Sequence, residues 1–181
     1  MDPAVTAAVI AVPTALFAAA AAYAGARAQA RSAHRGPVDA VRRQHQRDAY
    51  AAFLAALHAY QAATDWDTCY ERIDAEMHAA GVQPSPGAAQ TVAQRTLTLI
   101  STASVDELMR TGAAVDLEGP EHIAACATIT LGAAREIRME ARWPFSSWDS
   151  NEAVVAAHER LGVAISGFVQ AARAHLNDFR G

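Results

Sequence analysis

The 181 residues allow one domain and hardly two, and 46 alanines with only ten glycines and seven prolines exclude a turn-rich sandwich or barrel in favour of an all-α chain. All fifteen basic residues are arginine, which excludes a P-loop, a lysine Schiff base, a pyridoxal phosphate site and kinase chemistry, each of which needs a lysine amine. The net charge of −4 hides a split: up to Arg47 six arginines stand against two aspartates, a balance of +4, and nine arginines against seventeen acidic residues follow, a balance of −8.

From Ala4 to Ala26 no side chain is charged. At 1.5 Å per residue these 23 positions reach about 34 Å, the thickness of a bilayer's hydrocarbon core, so a single transmembrane helix is expected over 1–26. Pro13 inside it is tolerated better in lipid than in water. Met1-Asp2-Pro3 carries no side-chain cation and the arginines all follow the apolar run. The positive-inside rule then gives an uncleaved anchor in the cell membrane, N-terminus out and the rest in the cytoplasm. Two alternatives stand beside it: a signal peptide cleaved after Ala24-Gly25-Ala26, which would make the protein a secreted helical one, and an alanine-rich helix buried in protein. Ala18, Ala22 and Ala26 have the small-xxx-small spacing of helices that approach closely, so a homo-oligomer is compatible with this stretch.

Arg27, Arg31 and Arg35 share a helical face at i, i+4 and i+8 and are candidate contacts for anionic lipid headgroups, or else a plain stop-transfer flank. A basic collar before an acidic body is not the footprint of a nucleic-acid binder, and no nucleic-acid partner is expected. Gly36-Pro37 should break the helix, leaving 27–36 as a juxtamembrane segment and 37–181 as the folded body.

In the body, Val38, Val41, His45, Ala49, Ala52, Phe53, Ala56 and Tyr60 recur at helical spacing to about Ala63, with Pro37 as the first helical residue. Thr64 with Asp67 forms a capping box for a second helix over about 65–80, closed by Gly81. Val82 to Gly87 reads as a loop. Residues 88–116 are ambiguous: Thr96-Leu97-Thr98-Leu99-Ile100 alternates like a strand in a helical context, and Ser104 to Glu107 is another capping box, so the stretch reads as one helix or two. Gly119-Pro120-Glu121 opens a helix with a stripe of Ile123, Ala127, Leu131, Ala134, Ile137 and Ala141, which ends at Trp143-Pro144. A last helix, capped by Asp149 or Ser150, carries Val154, His158, Leu161, Ile165, Phe168, Ala172, His175 and Phe179 at alternating threes and fours. These elements make an antiparallel bundle of four to five helices.

The seven histidines lack metal-site spacing: no Glu precedes a His by three residues, and Gly162 stands where the second histidine of a zinc-protease motif would be. His158 and His175 read as core or rim residues. Cys69 and Cys126 lie on apolar faces as buried thiols. The acidic run Asp65, Asp67, Glu71, Asp74 and Glu76 lacks the glycine turn of a calcium loop and suits the start of a helix. No nucleophile elbow or dinucleotide fingerprint is present, so no catalytic residue, metal or cofactor is expected. Trp143, Phe145 and Trp148, in the loop before the last helix, are the candidate partner-binding residues, because exposed tryptophans anchor interfaces.

The apolar run, the Arg-rich flank and the segments RQHQRDAYAAFLAALHAY (43–60), VDLEGPEHI (115–123) and FVQAARAHL (168–176) resemble uncharacterised small membrane-anchored helical proteins of actinobacteria. The resemblance implies a membrane-tethered helical domain and carries no activity and no site residue. The expected function is a non-enzymatic protein-interaction or sensing module on the cytoplasmic face, with a small-ligand or haem/metal sensor built from bundle histidines as the alternative.

Overall fold

The computed structural model describes residues 3–142 and 150–178; of residues 3–21, 24, 28, 30–36 and 150 it describes the backbone only. The chain divides into two compact units, 1–44 and 45–181. Every described element is helical: α1 Pro3–Thr64, α2 Trp66–Ala79, α3 Pro86–Thr102, α4 Asp106–Glu118, α5 Glu121–Arg142 and α6 Ser150–Asn177.

The helix break expected at Gly36-Pro37 does not occur, for α1 runs through it. Pro37 removes one donor, and its ring crowds the carbonyl four residues back. Helix-favouring Ala, Arg and Gln on both sides carry the turn, and residues 37–42 are exposed. Nor does the folded body begin at 37. Val38 and Val41 are 61% and 57% exposed, and the buried stripe of α1 starts at Gln46, continuing through Ala49, Tyr50, Phe53, Ala56, Leu57, Tyr60 and Thr64. Among the described residues no helix is long and apolar enough to cross a membrane. Most side chains of the uncharged run 4–26 fall outside that set.

Unit 45–181 is built around the face of α1 from Ala49 to Tyr60. Phe53 meets Phe168 of α6 edge to face at 5.1 Å, and Tyr50 meets the same ring at 5.9 Å. Ile100, Leu108, Val115, Ile123, Ile137, Val154 and Leu161 complete the core from the other helices. A smaller cluster of Ile73, Met77 and Val92 joins α2 to α3. Helices α5 and α6 run antiparallel, since the Thr130 hydroxyl reaches the Ala164 carbonyl and Arg160 reaches Glu136 at 3.0 Å.

The helix ends correct the reading in two places. Asp65, not Thr64, caps α2 by accepting from the Thr68 amide at 2.9 Å; Thr64 is buried and donates back to the Tyr60 carbonyl at 2.8 Å. The Thr68 hydroxyl also donates to Asp65, and these bonds hold its carboxyl below the usual range. Val105, not Ser104, is the N-cap of α4 and makes no side-chain cap bond, while the Ser104 hydroxyl accepts from the Asp106 amide. Gly81 does end α2, at φ 81°, the left-handed conformation that glycine adopts without strain. The strand-like Thr96 to Ile100 is helix: the Thr96 and Thr98 hydroxyls each donate to the carbonyl four residues back at 2.9 Å, so β-branched residues sit in a helix with their polar groups satisfied. Among the described residues there are six helices rather than the four to five expected, because 88–116 forms two, α3 and α4.

Candidate functional site

Two ends of the bundle gather polar side chains. At one, the Tyr60 hydroxyl donates to the Ala134 carbonyl at 3.0 Å and His158 Nε2 donates to the Thr64 carbonyl at 2.7 Å. The Cys69 thiol reaches the Ala63 carbonyl at 3.4 Å. The His158 and Cys69 bonds take carbonyls freed where α1 stops, so this end is a helix-terminus lock. His158 is therefore a satisfied rim residue, as its place in the stripe suggested. Cys69 is buried and Cys126 half-buried, both as free thiols; burial pushes the Cys69 thiol up.

The other end is the candidate site. It is formed by α1 around Gln46, by the turn between α4 and α5, and by the last turn of α6. Gln46 is only 5% exposed, and its Nε2 donates to the Glu118 carbonyl at 2.7 Å, taking one of the orphan carbonyls at the end of α4. That bond fixes the amide, so Oε1 is the atom that lies 3.4 Å from His175 Nε2. Gly119-Pro120 turns the chain sharply: Gly119 closes α4 onto the Val115 carbonyl, and the Pro120 carbonyl accepts from Ile123 and Ala124 to start α5. His122 thus falls in the first turn of α5, where its ring stands 5.8 Å from that of His175 and nearly perpendicular to it.

Tyr50, 3% exposed, is tilted against His175 at 6.5 Å. Its hydroxyl is buried without a hydrogen-bond partner, and burial pushes its pKa up. A Cβ on Gly119 would sit 3.1 Å from that hydroxyl and 2.8 Å from the Val115 carbonyl. Only glycine fits there, so the hydroxyl is pressed close to the turn. Among the described residues no group of three His, Cys, Asp or Glu side chains gathers as a metal centre.

A further feature is the outward face of the α5–α6 pair. Ile129 and Val163 are 65% and 74% exposed. The register set by Thr130 with Ala164 and Glu136 with Arg160 puts Val163 level with Ala133, and Ile129 level with Gly167. Cβ atoms on Gly132, three residues after Ile129, and on Gly167, four residues after Val163, would meet nothing within 4 Å, so each aliphatic side chain has a small neighbour on its own helix face.

Of the residues singled out in the sequence, Trp143, Phe145 and Trp148 lie outside the described residues. Arg27 is exposed, and the side chains of Arg31 and Arg35 lie outside the described set. The acidic run works as a helix start: Asp65 caps α2, Asp74 pairs with His78, and Glu76 lies between Arg72 and Arg95. Sequence reasoning missed Gln46, Tyr50 and His122. Their one local signal is Gly119-Pro120, which sets where α5 starts and so where His122 points. No protein-family profile, no curated protein and no solved structure matches this chain.

Proposed function

We propose that this chain is a membrane-tethered, non-enzymatic helical bundle that recruits a protein partner. The observation that carries the reading is the outward face of α5 and α6, where Ile129 and Val163, about one turn apart along the hairpin, are largely exposed. Isolated exposed aliphatics are common, but two on adjacent helices, each beside a glycine, make a surface another protein can cover. Trp143, Phe145 and Trp148, which stand between the same two helices in the sequence, are the aromatic anchors proposed for that partner. The tether is the uncharged run 4–26, followed by Arg27, Arg31 and Arg35 as its cytoplasmic flank and headgroup contacts. Charge asymmetry supports the cytoplasmic side for 45–181, and the resemblance to small actinobacterial membrane-anchored proteins supports the same arrangement.

Charged substitutions on the hairpin test the recruitment. The full-length protein carrying both Ile129→Asp and Val163→Asp keeps its helical content, because neither side chain is buried, and loses about tenfold or more in capture of proteins crosslinked to the wild type in membranes. Capture of the same proteins in unchanged yield would contradict the reading. If the captured species is the chain itself, the face is a homo-oligomer interface.

A further inference from the structure

We propose that the outward face of α6 pairs with the same face of a second copy of this chain, in an antiparallel two-fold dimer centred on Val163. The inference rests on the recruitment reading of the α5–α6 hairpin and names its occupant.

The core stripe of α6 runs through Val154, Leu161, Ile165 and Phe168. A second stripe lies on the side away from the core, where positions four and three apart run from Glu152 through Ala156, Glu159, Val163, Ser166 and Gln170 to Arg173. All but the half-buried Ala156 are exposed. Val163, at the middle, is 74% exposed. Ser166 and Gly167 follow it on the same side, and side chains this small let a second helix come close. Ile129 of α5, level with Gly167, adds to the apolar centre.

Charge decides what fits over this stripe. Glu152 and Glu159 stand before Val163 and Arg173 after it. Among the described residues none of the three has an ion-pair partner in its own chain. Glu152 lies eleven positions before Val163 and Arg173 ten after it. An antiparallel copy turned about Val163 therefore brings Glu152 of each chain within one residue, about 1.5 Å of helix, of the level of Arg173 of the other. Glu159 then meets the small Ser166 and Gly167 of the other copy and no like charge. A parallel copy would set Glu152, Glu159 and Arg173 each against its own kind, which is unfavourable. Antiparallel pairing also opposes the two helix dipoles. Such an interface uses the same patch on both chains, so the assembly closes at two.

Disulfide trapping of the full-length protein tests the pairing and its register. Cys69 and Cys126 are replaced by alanine, single cysteines are placed on the stripe, and freshly opened cells are treated with copper phenanthroline. Disulfides bridge only Cα atoms within about 7 Å. Val163→Cys is expected to give a covalent dimer, because position 163 meets itself. In an antiparallel pair Glu159→Cys and Ser166→Cys each lie about 10 Å along the axis from their own copies, so each alone gives little dimer and the two co-expressed link to each other. In the Val163→Cys chain, Glu152→Arg and Arg173→Glu are each expected to lower the dimer yield about threefold or more, and the two together to restore it. A purely local effect of Glu152→Arg at the start of α6 would not be rescued from the far end of the helix. Val163→Cys recovered only as monomer, Ser166→Cys linking to itself as well as Val163→Cys does, or a double charge variant no better than the singles would overturn the proposal. Recruitment of a different protein is read separately, from capture lost with Ile129→Asp and Val163→Asp, and stands if the disulfides alone fail.

Discussion

Replacing Phe53 by alanine is expected to destabilise the bundle by about 3–5 kcal/mol, the range for deleting a fully buried aromatic ring. Phe53 is wholly buried on α1. It meets Phe168 of α6 edge to face at 5.1 Å, and its Cε2 lies 3.4 Å from where a Cβ on Gly112 of α4 would stand. One ring therefore holds three helices, and the edge-to-face pair adds about 0.5–1.5 kcal/mol beyond the area it buries. Collapse into the space is limited, because the glycine opposite has no side chain to move in. A domain of this size has only about 5–15 kcal/mol in hand, so Phe53→Ala should lower the urea midpoint of far-UV circular dichroism by a large fraction of its value. A loss below about 1 kcal/mol would mean that α1 does not pack into the core as described.

A stability loss of about 3 kcal/mol is expected between pH 10 and pH 12, and Tyr60 is its source. Burial pushes the Tyr60 phenol up to about 12, with Arg138 pulling weakly the other way. In the unfolded chain the same group titrates near its ordinary value of about 10. The folded state thus holds its proton more tightly. The contribution is fully present below about pH 10 and is lost as pH rises through the folded value, because the unfolded chain ionises first. Two units at about 1.4 kcal/mol each give the magnitude. Tyr60→Phe should lose about 1 kcal/mol at neutral pH, from its bond to the Ala134 carbonyl, and should flatten the alkaline limb. Tyr50 is shifted in the same direction by burial, so a residual slope is expected in the variant. An alkaline limb of equal steepness in Tyr60→Phe and wild type would show that Tyr60 is not the group responsible.

The helices were legible where apolar residues repeat without interruption. The stripe Ile123, Ala127, Ala134, Ile137 and Ala141 is the buried face of α5, and Val154, Leu161, Ile165, Phe168 and Ala172 that of α6. Gly81 was legible because one conformation demands it. The misread places are those where a local preference is outweighed. Pro37 sits at the start of an exposed stretch of helix, where helix-favouring neighbours outweigh one lost bond. The buried hydroxyls of Thr64 and Thr96 satisfy themselves on the turn behind, so neither the cap nor the strand pattern applies. The candidate site was illegible for a different reason. Gln46 meets Glu118 across 72 residues and His175 across 129, and such pairings leave no spacing in the sequence. The outward face at Ile129 and Val163 was equally hidden, since an aliphatic residue in a helix reads as core until its neighbours are known.

The tether is tested most directly by the topology of the full-length protein in intact cells. With Cys69 and Cys126 replaced by alanine, single cysteines are placed at Asp2→Cys and at Gln83→Cys, an exposed position in the α2–α3 loop, and probed with a thiol reagent that does not cross membranes. The expected result is labelling at position 2, none at position 83 until the cells are opened, and a protein that stays in the membrane pellet through alkaline carbonate extraction. Labelling at position 83 in intact cells, or a soluble protein outside the cell with a shortened amino terminus, would contradict a cytoplasmic bundle held by residues 4–26.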